Sequence, residues 1–259
     1  MPDAWSSPPR LASARTVVRY VDEDVAILDV HFSLAPRLPQ MRDDRWPAPQ
    51  HADVLVEIGT QSGFHDEERH RVTLVGGEGS LQFKLVQPQR WWPAGMGDQS
   101  LYLLNLTLLQ DDQPVDELQA SVGLTSVRRE QHASEHMLLV NGRECEIEYV
   151  LPVDRIDANR LLPASGHSLL IVRDHYGPDL LYDAADRAGI MLVQCVPIHP
   201  HGAPEQDMPA EVARLTSHPS LAGWCVGHLG KLSRHVARRI RSLDPTHHLF
   251  LNVPEDWAA

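Results

Sequence analysis

The feature that most restricts this fold is an alternation that begins near residue 169. Leu169-Leu170-Ile171-Val172 is a short unbroken apolar run, as expected of a strand buried on both faces. Pro178 to Ala188 then carries apolar residues at Leu180, Leu181, Ala184 and Ala185 with acids between them, which is helical spacing, and Gly189 is placed to end that helix. Ile190 to Val196 reads as a second strand, Pro209 to Leu215 as a helix and Ala222 to Val226 as a strand. Lys231 to Leu243 is a basic amphipathic helix, and Leu249 to Val253 closes the series as a strand. A further strand is placed ahead of these at Cys145 to Leu151. Strand and helix in strict turn predict a parallel sheet of about five strands.

The preceding residues follow different rules. Thr16–Tyr20, Val25–Phe32, Val54–Ile58, Arg71–Val75, Leu81–Val86, Leu101–Leu109 and Glu117–Val122 are short segments rich in Val, Leu and Ile. Turn formers separate them, among them Gly76-Gly77-Glu78-Gly79 and Asp111-Asp112-Gln113-Pro114. Short strands at regular spacing, with no helical period, predict an antiparallel sandwich. Leu101 to Leu109 alternates loosely and leaves its buried face open.

Composition narrows the function classes. The net charge of −12 opposes nucleic acid, because nothing would repay repulsion from phosphates. Cys145, Cys195 and Cys225 are odd in number and far apart, so neither a disulfide framework nor a zinc site is signalled; reduced thiols of a cytoplasmic protein fit them. Cys195 and Cys225 are expected on neighbouring strands as small buried hydrophobes. Met1 to Arg15 lacks the apolar core of a signal peptide, and no apolar run approaches the roughly 20 residues of a membrane span. No GxGxxG or P-loop is present and Ser165 and Ser220 lack a nucleophile elbow, so no cofactor is implied. His132-Ala133-Ser134-Glu135-His136 matches a zinc-protease pattern that requires a helix; it falls between strands and reads as a polar connector. His175, His199 and His201 could meet at the rim of the sheet, where histidine-rich loops more often face solvent, so no metal is expected.

Several segments, in order, carry a resemblance. Arg90-Trp91-Trp92-Pro93-Ala94-Gly95-Met96-Gly97 with Leu101-Tyr102 resembles the tryptophan–proline–glycine segment in the immunoglobulin-like domain of the family 2 glycoside hydrolases. Gly123-Leu124-Thr125-Ser126-Val127-Arg128 resembles the strand that ends that domain. Val140-Asn141-Gly142 is similar to the hairpin through which the family enters its barrel, and Asn-Gly suits a type I′ turn. Pro152-Val153-Asp154 is similar to the step that follows, especially in the β-mannosidase branch. Val172-Arg173, the stretch Leu181 to Gly189, Arg214-Leu215, His218-Pro219-Ser220-Leu221, Trp224-Cys225 and Asp244-Pro245-Thr246 continue the match. The resemblance implies a flexible 1–14, an immunoglobulin-like sandwich over 15–131 and a truncated barrel-like half over 137–259.

It also implies a chemistry that these residues do not supply. Retaining glycosidases use two carboxyls about 5–5.5 Å apart. The family's acid/base follows an asparagine at the end of the fourth barrel strand; His228 and Leu229 stand at those positions. Leucine cannot transfer a proton. The nucleophile would come from a seventh strand, and the sequence stops at Ala259 after the fifth. The third-strand acid of the motif is also missing, since Gln194 is followed by Cys195. The expectation is therefore a degenerate glycosidase serving as a carbohydrate-binding or protein-interaction module. Its groove would be formed by Arg173, Asp174, His175, Tyr176, His199, His228 and Asn252, polar groups at strand ends of the kind that bind sugars. Trp91 and Trp92 look like a carbohydrate platform, although their setting favours packing. The alternative is an O-glycosyl hydrolase completed by a partner chain or using non-standard residues. Open sheet edges are normally covered, so a homo-oligomer or a partner chain is expected.

Overall fold

A computed structural model describes residues 9–35, 49–60, 63, 65–129, 137–147, 149–153, 168–173, 175–197, 208–226 and 231–250. They divide into two compact units, one drawn from Met1–Val17, Ile27–Leu85 and Tyr102–Val122, the other from Val18–Ala26, Val86–Leu101 and Gly123–Ala259.

The first unit is the sandwich. Its strands are β1 (Leu11–Val21), β2 (Val25–Leu34), β3 (His51–Thr60), β4 (His65–Thr73), β5 (Glu78–Val86), β6 (Leu101–Gln110) and β7 (Gln113–Gly123). They form a three-stranded sheet in the order β1-β2-β5 and a four-stranded sheet in the order β4-β3-β6-β7. Alternation along each strand selects the inner face: Leu28, Val30 and Phe32, Val54, Val56 and Ile58, and Phe83 and Leu85 are buried at every second position. In β6 the buried series is Tyr102, Leu104, Leu106 and Leu108, with Thr107 buried as well, so that strand is covered on both sides at its middle. β4 starts six residues earlier than its apolar residues suggested. His65-Asp66-Glu67-Glu68-Arg69-His70 has no hydrophobic period, and it pairs with β3 at a sheet edge where charged side chains face water.

The second unit is built on five parallel strands in chain order: β11 (Tyr149–Val153), β12 (Ser168–Val172), β13 (Met191–Cys195), β14 (Leu221–Cys225) and β15 (His248–Phe250). The first of them is not the predicted Cys145–Leu151. β8 (Val127–Arg128), β9 (Met137–Val140) and β10 (Arg143–Glu146) form a separate antiparallel sheet, and Cys145 pairs with Leu138 in it. The cause is local. Asn141 and Gly142 hold positive φ of 50° and 79°, a two-residue turn that commits Arg143–Glu146 to the hairpin.

Helices α1 (Asp179–Ala188), α2 (Met208–Leu215) and α3 (Lys231–Leu243) link the parallel strands. Gly189 ends α1 with φ of 70° and returns its N–H to the Ala185 carbonyl; a Cβ there would lie 2.5 Å from the Ala94 nitrogen. One face of the sheet packs Leu170, Val172, Leu192, Trp224 and Leu249 against Leu181, Tyr182, Val212, Val236 and Ile240 of the helices. The other face packs Leu169, Met191, Val193, Cys225 and Phe250 against Trp91, Val127, Leu138 and Val140.

Candidate functional site

Parallel sheets with helical crossovers carry their chemistry at the C-terminal ends of the strands. Those ends here are Val153, Arg173, Cys195, Val196, Cys225, Val226 and Phe250. Among the described residues no strand end carries a carboxyl group.

Three of the residues expected in the groove, Arg173, His175 and Tyr176, follow β12 on the segment that leads to α1, and Gln194 holds that segment. Gln194 is wholly buried, on the helix-side face of β13. Its Oε1 accepts hydrogen bonds from the Gly177 N–H and the Tyr182 hydroxyl, both at 3.0 Å. Its Nε2 donates to the carbonyls of His175 at 2.8 Å and Cys195 at 2.6 Å. All the hydrogen-bonding capacity of the amide is thus spent internally, so Gln194 positions the loop rather than facing a ligand. Burial pushes the Tyr182 phenol far above the ordinary tyrosine range, which Arg214 offsets only in part, so Tyr182 remains a neutral donor. Gly177 leaves the room this requires, since a Cβ would come within 2.8 Å of the Tyr182 ring. Arg214 ties the same loop to α2, donating to the Gly177 carbonyl at 2.7 Å and pairing with Asp179 and Glu211.

Of the loop's side chains, His175 is the one with a ligand-directed signature. Its Nε2 is buried and makes no hydrogen bond among the described residues. Tyr176 packs its ring against the helix-side core. Asp174, His199, His201, His228, Leu229 and Asn252 lie outside the described residues, as do Ser165 and the His132–His136 motif. Trp91 and Trp92 are no exposed platform. Trp91 is fully buried and Trp92 nearly so, in the core on the face away from the helices. Arg90 and Arg143 stand 5.0 and 5.1 Å from the Trp92 ring centre, each a cation–π contact.

The opposite ends of the strands are crowded with ionisable groups. Before β14, His218 Nδ1 hydrogen-bonds Asp186 at 2.7 Å and the Ser220 N–H donates to the same carboxylate at 3.0 Å. The Asp186 carbonyl accepts from the Trp91 indole at 2.7 Å. Before β15, Asp244 accepts from the Trp224 indole at 2.7 Å, from His247 Nδ1 at 2.8 Å and from the Thr246 hydroxyl at 2.6 Å. Burial alone would raise the Asp244 carboxyl. The His247 charge and the hydrogen bonds from His247, Thr246 and Trp224 outweigh burial and hold it well below the carboxylate range. A cavity of about 490 Å³ also opens at this end, lined by Arg90, Arg128, Asn141, His218 and His247 among others. In barrels this end serves stability rather than chemistry. Asp183, Asp186 and His218 lie close enough to share a metal ion, yet both Asp186 oxygens already accept hydrogen bonds. None of these pins was legible as a site residue; Asp186 and His218 lay within the segments that carried the resemblance, 32 residues apart.

Comparison with known proteins bears on ancestry. The sequence profile of the glycosyl hydrolases family 2 matches residues 41–124. An exo-β-D-glucosaminidase of Streptomyces avermitilis is 28% identical over 173 residues, 55% of this chain and 19% of that protein. A β-mannosidase B of Emericella nidulans is 26% identical over 179 residues, 59% of this chain and 21% of that protein. The crystal structure of a family 2 glycosyl hydrolase from Bacteroides cellulosilyticus superposes on 95% of this chain and 35% of its own, with TM-score 0.70 and 17% identity. The chain therefore resembles the family 2 glycoside hydrolases in sequence over residues 41–124, and it shares the fold of their solved members. It spans about a fifth of the length of these two curated relatives.

Proposed function

We propose that this chain is a non-catalytic, carbohydrate-binding module on a family 2 glycosidase scaffold. The observation that carries this reading is Leu229 at the position where the family's acid/base would stand, because a retaining glycosidase needs a carboxyl there and leucine cannot transfer a proton. What the rim does offer is Arg173, His175 and Tyr176 on a loop fixed by Gln194, a donor set suited to sugar hydroxyls. Relatives named for β-mannoside and β-glucosaminide cleavage make β-linked mannose and glucosamine the first sugars to test.

Chromogenic β-mannosides and β-glucosaminides, read beside calorimetric titration with the corresponding oligosaccharides, test the proposal. Binding without turnover, abolished by His175→Ala, is the expected outcome; turnover lost in His228→Ala would overturn it.

We further propose that two copies associate through β11, which pairs on one side only among the described residues. Light scattering at micromolar concentration should report a dimer, and a monomer overturns this second reading.

A further inference from the structure

The core away from the helices contains a pair of groups that sugar binding leaves unused. Cys195 ends β13, Cys225 ends β14, and the two are direct register partners on neighbouring parallel strands. The pairing continues past them, because the Val196 N–H donates to the Cys225 carbonyl at 2.8 Å. In-register partners send their side chains to the same face of a sheet. Cys225 accordingly lies inside this core, and Cys195 packs against it half-buried. No disulfide joins them.

Spacing decides what such a pair suits. Neighbouring strands lie about 4.8 Å apart, and parallel Cα–Cβ bonds carry roughly that separation out to the β-carbons. A disulfide needs β-carbons about 3.8 Å apart, so closing one here would draw the strands together. Two collinear bonds of about 2.3 Å from thiolate sulfur to a d¹⁰ ion span about 4.6 Å, which fits without movement. Thiolates favour soft ions, Cu(I) foremost.

We propose that Cys195 and Cys225 form a two-coordinate thiolate site for Cu(I) at the C-terminal end of β13 and β14. Binding breaks two S–H bonds, makes two S–Cu bonds and releases two protons to solvent, with no change in oxidation state. Two thiolates and one monovalent ion leave a single negative charge. Arg173 stands one residue beyond Val172, the register partner of Gln194, as Cys195 stands one beyond Gln194. Phe250, the register partner of Cys225, and Val193 give the ion an apolar surround.

Competition for Cu(I) between the reduced full-length chain and bicinchoninate tests the site. One ion should bind per chain in the wild type and in Cys145→Ser, since burial pushes the Cys145 thiol up to about 11 and keeps it protonated. Cys195→Ser and Cys225→Ser should each weaken binding by more than the roughly hundredfold that losing an outer-shell partner costs. Copper-edge absorption should show two sulfur neighbours. Failure of the wild type to compete, or undiminished binding in the double variant, overturns the proposal. Melting curves verify folding, and Cys195→Ser, at the half-buried position, stays decisive if Cys225→Ser unfolds. Oxidised glutathione gives an independent readout. The spacing predicts no disulfide between the two residues, and one detected by mass spectrometry would overturn the geometry.

Discussion

The two ends of the parallel sheet differ in how they use polar groups. At the N-terminal ends, buried carboxylates are matched with partners: Asp186 with His218 and Ser220, Asp244 with His247, Thr246 and Trp224. At the C-terminal ends the described positions carry cysteines, an arginine and apolar residues, and the one fully buried polar side chain nearby is the uncharged, saturated amide of Gln194. Removing one partner from a buried ion pair costs several kcal/mol, so the N-terminal pins are under constant pressure from folding itself. A reacting carboxyl at the C-terminal rim makes no comparable contribution to stability and can be lost without unfolding the chain. The contrast shows which polar groups the fold maintains by itself.

The sharpest test of that contrast is Asp244→Ala, which strands the Trp224 indole, the Thr246 hydroxyl and His247 together. We expect a loss of roughly 3–5 kcal/mol in denaturant unfolding, followed by tryptophan fluorescence. A loss below 1 kcal/mol would break the comparison. The same group should show in acid. Because folding holds the Asp244 carboxyl below its unfolded value of about 3.9, its stabilisation is complete at neutral pH and drains as pH falls through the carboxylate range. The stability gap between the wild type and Asp244→Asn should therefore narrow steadily below about pH 4. A constant gap would assign the effect to packing.

Gln194→Ala comes next, with roughly 1–3 kcal/mol expected from the stranded Tyr182 hydroxyl, Gly177 N–H and His175 carbonyl. It should also abolish any sugar binding, because the rim loop loses its anchor. Trp91→Phe removes only the hydrogen bond to the Asp186 carbonyl and some buried area, and should cost about 1 kcal/mol. His175→Ala should change stability by no more than about 0.5 kcal/mol while eliminating binding. A large stability loss there would move His175 from the ligand site to the structural pins.

Much of the fold was legible because periodicity is a local property. The predicted helix Lys231–Leu243 matches the observed one, the glycine end of α1 followed from backbone preference, and the Asn141-Gly142 turn followed from that preference together with the resemblance. β4 was underread because an edge strand has no buried face to impose a pattern, and Cys145 was misassigned because hairpin and parallel strand share the same short apolar signature.

The candidate site was legible only in part. That Arg173, His175 and Tyr176 lie at a strand end follows from their place after an apolar run. That Gln194 grips the loop carrying them does not, since a glutamine inside a strand reads as a missing acid until its four hydrogen bonds are seen. By itself the sequence determined the two architectures and the family resemblance, and with it the expectation that Leu229 stands at the acid/base position. Each depends on residue identity at adjacent positions. Only the tertiary structure decided that the tryptophans are core, that Asp186 and Asp244 are pinned by histidines, and that Cys195 faces Cys225. Those facts depend on distances between strands and helices far apart in sequence, which packing alone brings into contact.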